Sequence, residues 1–352
     1  MKAKKIPALD VHAMEIAKER QDNLTKIKRS LGVLEDLSIK IAGITGNPSP
    51  EIKDKVIITM AGDHGVTEEG VSAYPSEVTA QMVYNFFNGG AAINVLARHV
   101  GARHVLVDMG VAANMDLTNV NTNTGVFVDK KIAYGTANMA KEPAMAYEDA
   151  KRSIETGMEI IEHEADIGMD IVGVGDMGIG NTTASSAIVA VLTGQSVRKV
   201  TGRGTGIDEE GFERKIREIG EAIRINKPNK KDPIDVLAKV GGFEIGGMSG
   251  AMLEAASRRI PVVIDGLISG AAALIAYELD HAVKDYMIAA HRSVEIGHAV
   301  TLDYIGLNPL LALGMHLGEG TGAALGISIV EAACKILKEM ATFEEAGVSK
   351  KI

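Results

Sequence analysis

The sequence contains almost no cysteine, few aromatic residues and no tryptophan. Cys334 is the only cysteine among 352 residues, so a disulfide framework and a cysteine-rich metal site are both excluded. Such sparing use of thiols is typical of proteins from a reducing compartment, and we expect a cytoplasmic protein. Cys334 lies in the helical stretch EAACKIL (331–337), where we expect it to pack in a core and not to act as a nucleophile.

Long hydrophobic runs and an excess of positive charge are also missing. No apolar run reaches the length of about eighteen residues that a membrane span needs, and the N-terminal MKAKKIPALD lacks the apolar segment of a signal peptide. We therefore expect neither a signal peptide nor a membrane partner. The chain has 37 Lys and Arg against 46 Asp and Glu, a net charge of −9, which argues against a nucleic-acid partner. A phosphate ligand remains compatible with this charge, because local backbone N–H groups can bind it.

The residues that are abundant indicate an α/β enzyme. Hydrophobic residues make up 46% of the chain and there are 39 glycines, and a length of 352 residues suits one large domain with a smaller one. Apolar spacing predicts a pair of helices within residues 1–45, whereas residues 112–130, rich in Asn and Thr, are predicted to form a loop. Strand, loop and helix then recur along the chain, which predicts a parallel sheet. The predicted strands cover residues 55–60, 104–107, 171–174, 261–264 and 286–290.

The stretch IVGVGDMGIGNTTASS (171–186) combines a buried strand, a glycine loop and a helix start. Asn181, Thr182 and Thr183 are predicted as cap-type residues, with the helix running from Ala184. Unpaired N–H groups and the positive end of a helix dipole bind phosphate in this arrangement. The alternative is a tight βα turn that needs glycine only for positive φ. Two more glycine loops occur at residues 202–206 and 317–322.

Polar and small residues follow the predicted strands. Because the carboxyl ends of parallel strands meet at one edge of a sheet, these residues are expected to line one crevice. We expect six such strand ends, at Gly62 with Asp63, Asp108, Gly175 with Asp176, Gly202, Asp265, and His291 with Ser293.

Glu319 is the carboxylate that we predict as a general base. A helix N-terminus would stabilise its anion and an apolar surround would raise its pKa, so the residues alone leave its state open. A plain helix-terminal charge is the alternative for Glu319, and Asp176 has a similar status. Asp63 and His64 follow a strand and are candidates for the site. The alternative is structural: Asp63 caps a turn and His64 is its hydrogen-bond partner.

Several sharper motifs are absent or incomplete. There is no HExxH, and no GK[ST] follows any glycine loop. The segment GVGDMG (173–178) matches the G-x-G-x-x-G pattern of dinucleotide-binding proteins. The acid that such a fold needs about twenty residues later is missing, since residues 193–198 read TGQSVR. An NAD(P)-dependent oxidoreductase therefore remains only as an alternative.

Eight segments, in order along nearly the whole chain, resemble the nicotinate-nucleotide:dimethylbenzimidazole phosphoribosyltransferases. They are AGDHGVTEEGVSAYPSEVTAQMV (61–83), GGAAINVLARHVGARHVLVDMGV (89–111), GTANMAKEPAM (135–145), GVGDMGIGNTTASSA (173–187), GRGTG (202–206), VVIDGLISGAAAL (262–274), HRSVEIGH (291–298) and LGEGTGAALGISIVEAA (317–333).

The resemblance implies an enzyme of cobalamin biosynthesis. That family transfers phosphoribose from nicotinate mononucleotide to a benzimidazole-type base, giving α-ribazole 5′-phosphate and nicotinate, as a homodimer without metal or redox cofactor. It also implies a Rossmann-like parallel domain with helices on both faces (residues 46–310) and a smaller helical domain from both chain ends (1–45 with 323–352). A catalytically silent relative that only binds nucleotide or base is a further alternative.

The resemblance also assigns roles to individual residues. Glu319 matches the family's catalytic base, and Ser293 belongs to the same pocket. Phosphate contacts fall on two loops, at Gly178, Gly180, Asn181, Thr182, Gly202 and Gly204. The family's usual loop sequence is GEMGIGN, whereas this chain has Asp176 in the acidic position. The side chain is thereby shortened by one methylene, which affects base choice or rate if the family's glutamate contacts the base or the ribose. The family accepts other benzimidazoles, purines and, in some members, phenols, so the resemblance leaves the acceptor base open.

Overall fold

A single sheet of six parallel strands forms the centre of the part of the chain that the structure covers. The computed structural model describes residues 4–115 and 125–349. The strands are β1 (Lys55–Gly62), β2 (Arg103–Gly110), β3 (Val126–Asp129), β4 (Ile171–Met177), β5 (Val262–Ile264) and β6 (Met287–Ala289). Five of them confirm the predicted strands.

The strand order is β3-β2-β1-β4-β5-β6, and every neighbouring pair is parallel. This is the Rossmann order: successive strands are added outward in one direction from β1 to β3 and in the other direction from β4 to β6, so the order of strands reverses between β1 and β4. Open sheets of this kind bind ligands at that reversal, beyond the carboxyl ends of the strands. The α/β class and the parallel sheet are therefore confirmed.

Thirteen α-helices surround the sheet in the described ranges. They are α1 (Val11–Asn23), α2 (Val33–Thr45), α3 (Glu77–Phe87), α4 (Ala92–Val100), α5 (Tyr147–Ile167), α6 (Asn181–Thr193), α7 (Val197–Val200), α8 (Glu209–Asn226), α9 (Pro233–Val240), α10 (Phe243–Ser257), α11 (Leu267–Leu279), α12 (Ile296–Ile305) and α13 (Thr321–Glu339). Two 3-10 helices cover Gly65–Glu69 and His281–Tyr286.

Helices pack on both faces of the sheet. On β4, a side chain added at Gly173 would meet Ala323 and Ile327 of α13. On the other face, Met60 of β1 packs against Gly247 of α10. The apolar residues of β1, β2, β4, β5 and β6 are buried, apart from the partly buried Met177 at the end of β4, as expected for parallel strands that are covered on both sides.

The two ends of the chain meet. Helix α1 packs on α2, and both contact α13, with Ala17, Ala42 and Leu337 forming a small apolar cluster of their own. Helix α13 also packs on the sheet, and Cys334 is buried in it, which confirms the packing role predicted for the thiol. The division into domains 46–310 and 1–45 with 323–352 stays a prediction.

Three local predictions are wrong. Gly202 follows the short helix α7 and not a strand, so the sixth strand is β3, which lies within the predicted loop 112–130. Residues 116–124 of that loop lie outside the described residues. Helix α6 begins at Asn181 with Gly180 as its N-cap, three residues earlier than predicted. Asn181 is no cap because its side chain donates to Asp176 (2.8 Å).

Within residues 4–115 and 125–349, none of the helices combines the length and the apolar character that a bilayer crossing requires.

The contact between helices α5 and α10 depends on glycine. Helices α5 and α10 touch backbone to backbone, and a Cβ added at Gly157 of α5 would overlap the carbonyl oxygen of Gly247 in α10. Gly246 and Gly250 of α10 face α5 in the same way, since a Cβ on either would overlap Ser153 or the carbonyl oxygen of Ile154.

We expect Gly157→Ala to lower the free energy of unfolding by about 1–3 kcal/mol, since neither backbone can move without disturbing the layer. Gly220→Ala, at a helical position of α8 with no atom within 4 Å of the added Cβ, should raise it by about 0.4–1 kcal/mol. Denaturant unfolding of both variants measures this difference. An unchanged midpoint for Gly157→Ala would contradict the packing argument.

Candidate functional site

A cavity of about 890 Å³ opens at the carboxyl end of β4, at the edge of the sheet where the topology predicts a ligand. It collects residues that are far apart in the sequence, from the ends of β4, α3, α4 and α6 and from the loops before α8, α12 and α13. Its lining comprises Tyr74, Val78, Met82, Ala92, Leu96, Asp176, Met177, Gly178, Ile179, Asn181, Thr182, Gly204, Thr205, Gly206, Ile268, Glu295, Gly314, Met315, His316, Leu317, Glu319 and Thr321.

The loop that carries Glu319 has an unusual backbone. Gly318, Glu319 and Gly320 all have positive φ, at 85°, 64° and 93°. A glutamate in this region costs roughly 1–2 kcal/mol, so surrounding contacts must hold it there. The Asp265 carboxylate does so by accepting from the N–H groups of Gly320 (3.0 Å) and Gly322 (2.7 Å).

Gly175 of β4 allows this loop to lie directly on the sheet. A Cβ at Gly175 would overlap the backbone of Glu319 and Gly320. The N–H of Glu319 in turn donates to the carbonyl of Asp176 (3.2 Å). The predicted base is therefore placed by main-chain contact with the same strand that leads to the 178–183 loop.

The Glu319 carboxylate is buried, and its Oε2 accepts from the N–H of Ile93 (3.3 Å) in the first turn of α4. Burial raises its pKa to about 7, although the Ile93 hydrogen bond opposes the rise. The sequence left open whether burial or a helix N-terminus sets the pKa of Glu319. In the structure burial has the larger effect on this pKa, and the opposing helix terminus is that of α4, not of α13. A carboxyl with this pKa suits proton transfer near neutral pH.

Asp176 lines the cavity beside Glu319. Its Oδ2 accepts from Asn181 Nδ2, while its Oδ1 is buried and without a hydrogen-bond partner in the described residues. Burial and the neighbouring Asp265 and Glu244 raise its pKa well above the usual range of an aspartate. A protonated Asp176 can therefore donate a hydrogen bond into the cavity.

The cavity lining also offers anion donors at the start of α6. Helix α6 begins there, and no side chain caps its N-terminus. Thr182 in its first turn accepts from the ammonium of Lys215 (2.8 Å), a side chain with no exposed surface. A helix N-terminus and an ammonium group that converge on one point are suited to a phosphate.

Lys215 was missed by the sequence reasoning. Burial lowers its pKa to about 8, with Glu295 opposing the change. A signal did exist in the pattern of α8, because Lys215 continues the buried stripe that contains Gly211, Ile219 and Ala222. A lysine on an apolar helix face needs a partner, but periodicity alone does not identify it.

In this structure the loop at residues 202–206 binds the carboxylate of Glu295, which comes from a distant part of the chain. Gly204 lines the cavity, and its N–H donates to Glu295 Oε1 (3.0 Å). Gly202 lies behind it, where any Cβ would overlap Glu295. Ser293 accepts from the N–H of Glu295 (3.3 Å) and orients it. Ser293 and Gly202 therefore support the wall of the cavity rather than line it.

Gly178 and Gly180 fit both of the readings that the sequence left open. Gly178 lines the cavity, yet a Cβ on it would overlap the carbonyl of Gly62. Gly180 has φ of 96° and packs against His64 and Thr67. The loop is a tight turn and a cavity wall at once.

Asp63 and His64 are buried and are outside the set of residues that line the cavity. Asp63 accepts from the N–H of Ala112 (2.8 Å), and His64 pairs with the Glu244 carboxylate (2.8 Å). Burial lowers the pKa of His64, but the Glu244 and Asp63 carboxylates together outweigh burial and the pKa is raised overall. In this structure both residues support the loops behind the cavity.

The dinucleotide-type motif is not a phosphate loop. Gly173 and Gly175 lie inside β4, and the Glu319 loop covers Gly175. A pyrophosphate cannot approach these glycines, which removes the motif that supported an NAD(P) site.

Comparisons with known proteins agree on one family. A family model described as phosphoribosyltransferase matches residues 6–348. A nicotinate-nucleotide–dimethylbenzimidazole phosphoribosyltransferase of a Roseiflexus species is 58% identical over 348 residues, covering 99% of this chain and 97% of that protein. The protein of the same name from Desulforudis audaxviator is 55% identical, with 98% and 96% covered. The crystal structure of the Thermus thermophilus protein superposes with a TM-score of 0.90 at 40% identity, covering 97% of this chain and all of that one.

The anion side of the cavity is testable on its own. We expect inorganic phosphate at ten times its Kd to stabilise the protein by about 1.4 kcal/mol, raising the melting temperature. Lys215→Met, which keeps the buried volume but removes the charge, should abolish most of this shift. Lys230→Met, an exposed lysine, is the control. Equal shifts in wild type and Lys215→Met would exclude Lys215 from the anion site.

Proposed function

This chain belongs to the nicotinate-nucleotide–dimethylbenzimidazole phosphoribosyltransferase family, and from that premise we propose that it transfers phosphoribose from nicotinate mononucleotide to 5,6-dimethylbenzimidazole or a related base. The products are α-ribazole 5′-phosphate and nicotinate. One observation carries the proposal: the Glu319 carboxylate and the first residues of α6, Asn181 and Thr182, border the same cavity. The buried Lys215 ammonium, which is outside the lining, donates to Thr182 at that helix start. A sugar phosphate held at one side would present its anomeric carbon toward the other.

The chemistry needs a base at Glu319. A ring nitrogen of the acceptor attacks the anomeric carbon, and the bond to the nicotinate nitrogen breaks with its electron pair returning to the pyridine ring. That ring nitrogen is cationic while it is bonded to ribose, so no acid is needed to expel it. The acceptor would become cationic, unless Glu319 removes the proton from its second nitrogen.

The phosphate anchor supports the same step by positioning. The uncapped N-terminus of α6, Thr182 and the Lys215 ammonium are the proposed phosphate contacts. Fixing the ribose in this way removes motional freedom before reaction, an effect worth up to about 7–11 kcal/mol in favourable cases. The chain's own residues thus supply anchoring at one side and proton removal at the other.

An apolar wall suits a flat aromatic acceptor. Val78, Met82, Leu96, Met315 and Leu317 line the cavity near Glu319 and Asp176. Such side chains bury a benzimidazole, while the carboxyl groups contact its ring nitrogens. Asp176, shorter than the family's glutamate, leaves more room at this end for the acceptor.

Two further proposals rest on the family resemblance, a homodimer and a cytoplasmic location. Exposed apolar side chains near the cavity, among them Tyr74, Val294 and Leu317, support self-association. Light scattering tests the homodimer directly.

The transfer itself is tested by mixing the protein with nicotinate mononucleotide and dimethylbenzimidazole, which should release nicotinate. Glu319→Gln should retain nucleotide binding and lose about 10²–10⁴-fold in kcat, because the amide cannot accept the proton. A near-wild-type rate would reject the base assignment. Binding without release for every benzimidazole, purine and phenol would identify a silent relative.

The pH dependence follows from two groups. Glu319 must be ionised, so kcat/KM should rise as the pH increases through about 7. Lys215 must be protonated, so kcat/KM should fall as the pH increases through about 8. Lys215→Met should remove the alkaline limb and keep the acidic one. A flat profile between pH 6 and pH 9 would contradict both assignments.

A further inference from the structure

Three buried polar side chains behind the cavity connect to Glu319 from two directions. Thr59 lies on β1, Asn94 in the first turn of α4 and His104 on β2, and all three are buried. The transfer described above does not use them. Their hydrogen bonds nevertheless all lead to the segment that holds the base.

The first branch runs through His104. Asn94 Nδ2 lies 3.2 Å from His104 Nδ1, and His104 Nε2 lies 2.9 Å from Thr59 Oγ1. Thr59 Oγ1 then donates to the carbonyl oxygen of Glu319 (2.8 Å). This carbonyl belongs to the residue with φ of 64°, so the hydrogen bond holds a backbone that would otherwise relax.

The second branch runs through the start of α4. Asn94 Oδ1 accepts from the N–H of Ala91 (3.1 Å), closing the N-cap of the helix. In that first turn the N–H of Ile93 donates to Glu319 Oε2. Asn94 therefore links the group that binds the carboxylate to the chain of hydrogen bonds that fixes the backbone of the same residue.

The hydrogen bonds allow only one distribution of protons. Thr59 has a single hydroxyl proton, which goes to the Glu319 carbonyl, so His104 must carry its proton on Nε2 and donate it to Thr59. His104 Nδ1 is then an acceptor for one amide proton of Asn94, whose other amide proton goes to the carbonyl of Phe86 (2.9 Å).

The protonation state of His104 does not change over the pH range in which Glu319 titrates. Burial lowers the pKa of His104 to about 4, so the imidazole is neutral across the range in which Glu319, with its pKa of about 7, gains and loses a proton. The network is thus a fixed support, and it holds the same proton pattern while the carboxylate changes charge.

We propose that Thr59, His104 and Asn94 are positioning residues for the transfer, which hold the main chain and carboxylate of Glu319 in the geometry that proton removal requires. The inference rests on the proposed function, because Glu319 must be the base for its placement to matter. The three residues act through Glu319 and touch neither substrate.

The test is Thr59→Val, which keeps the shape of the side chain and removes its hydroxyl. We expect kcat to fall by about 10–100-fold, with KM for nicotinate mononucleotide nearly unchanged, because the phosphate anchor is intact. Thr59→Ser, which restores the hydroxyl, should recover most of the rate. Thr301→Val is the matched control, since it removes an equally buried hydroxyl that donates to Gly297 within α12 (3.0 Å).

A double-mutant cycle separates positioning from general damage. In the Glu319→Gln background, Thr59→Val should cause no further loss of the residual single-turnover rate, because the base is already gone. A loss equal to that in the wild-type background would overturn the proposal, as would a wild-type rate for Thr59→Val. If the residual rate is too low to measure, the split between kcat and KM and the serine rescue decide.

His104→Phe provides a second variant in case Thr59→Val does not fold. Phenylalanine keeps a ring in contact with Phe86 and removes both hydrogen bonds of the imidazole, so we expect the same fall in kcat. Full activity of a folded His104→Phe would overturn the network. Wild-type protein that releases no nicotinate would instead defeat the proposed function, so the two failures are distinguishable.

Discussion

The contact between Gly175 and the backbone of residues 318–320 is the constraint on which the site depends. The loop can lie on β4 only because residue 175 has no side chain, and its positive φ values persist only because Asp265 and Thr59 bind its N–H and carbonyl groups. These contacts place the Glu319 carboxylate in the same cavity as the N-terminus of α6, although the two are far apart in the sequence. Burial then gives that carboxylate a pKa suited to its chemistry.

The outline of the fold could be read from local sequence. Short β-branched runs gave five of the six strands, since parallel strands covered on both faces are continuously apolar. The four-residue β3 was missed because its apolar residues, Val126, Phe127 and Val128, end a stretch rich in Asn and Thr that predicts a loop, and because the strand is half-exposed. The helix boundary at Asn181 was missed because a side chain that normally caps a helix binds Asp176 instead.

Site residues could be predicted only where a local sequence pattern marks them. Glu319 and the 178–183 loop stood out because glycines mark both places. Lys215 did not, because its partner Thr182 lies 33 residues away and only packing brings them together. The same holds for Glu295, whose contact with Gly204 spans 91 residues. Asp63 and His64 were recognised as strand-end residues, yet their side chains turn to Ala112 and Glu244, which no local pattern indicates.

The buried ammonium of Lys215 has a thermodynamic consequence. Its pKa of about 8 means that a sizeable fraction of the free protein carries a neutral amine in mildly alkaline solution. A dianion that arrives beside it favours the charged form, so ligand capture is accompanied by proton uptake from the solvent. The heat measured by calorimetry therefore depends on the ionisation enthalpy of the buffer, and the slope of that dependence counts the protons taken up.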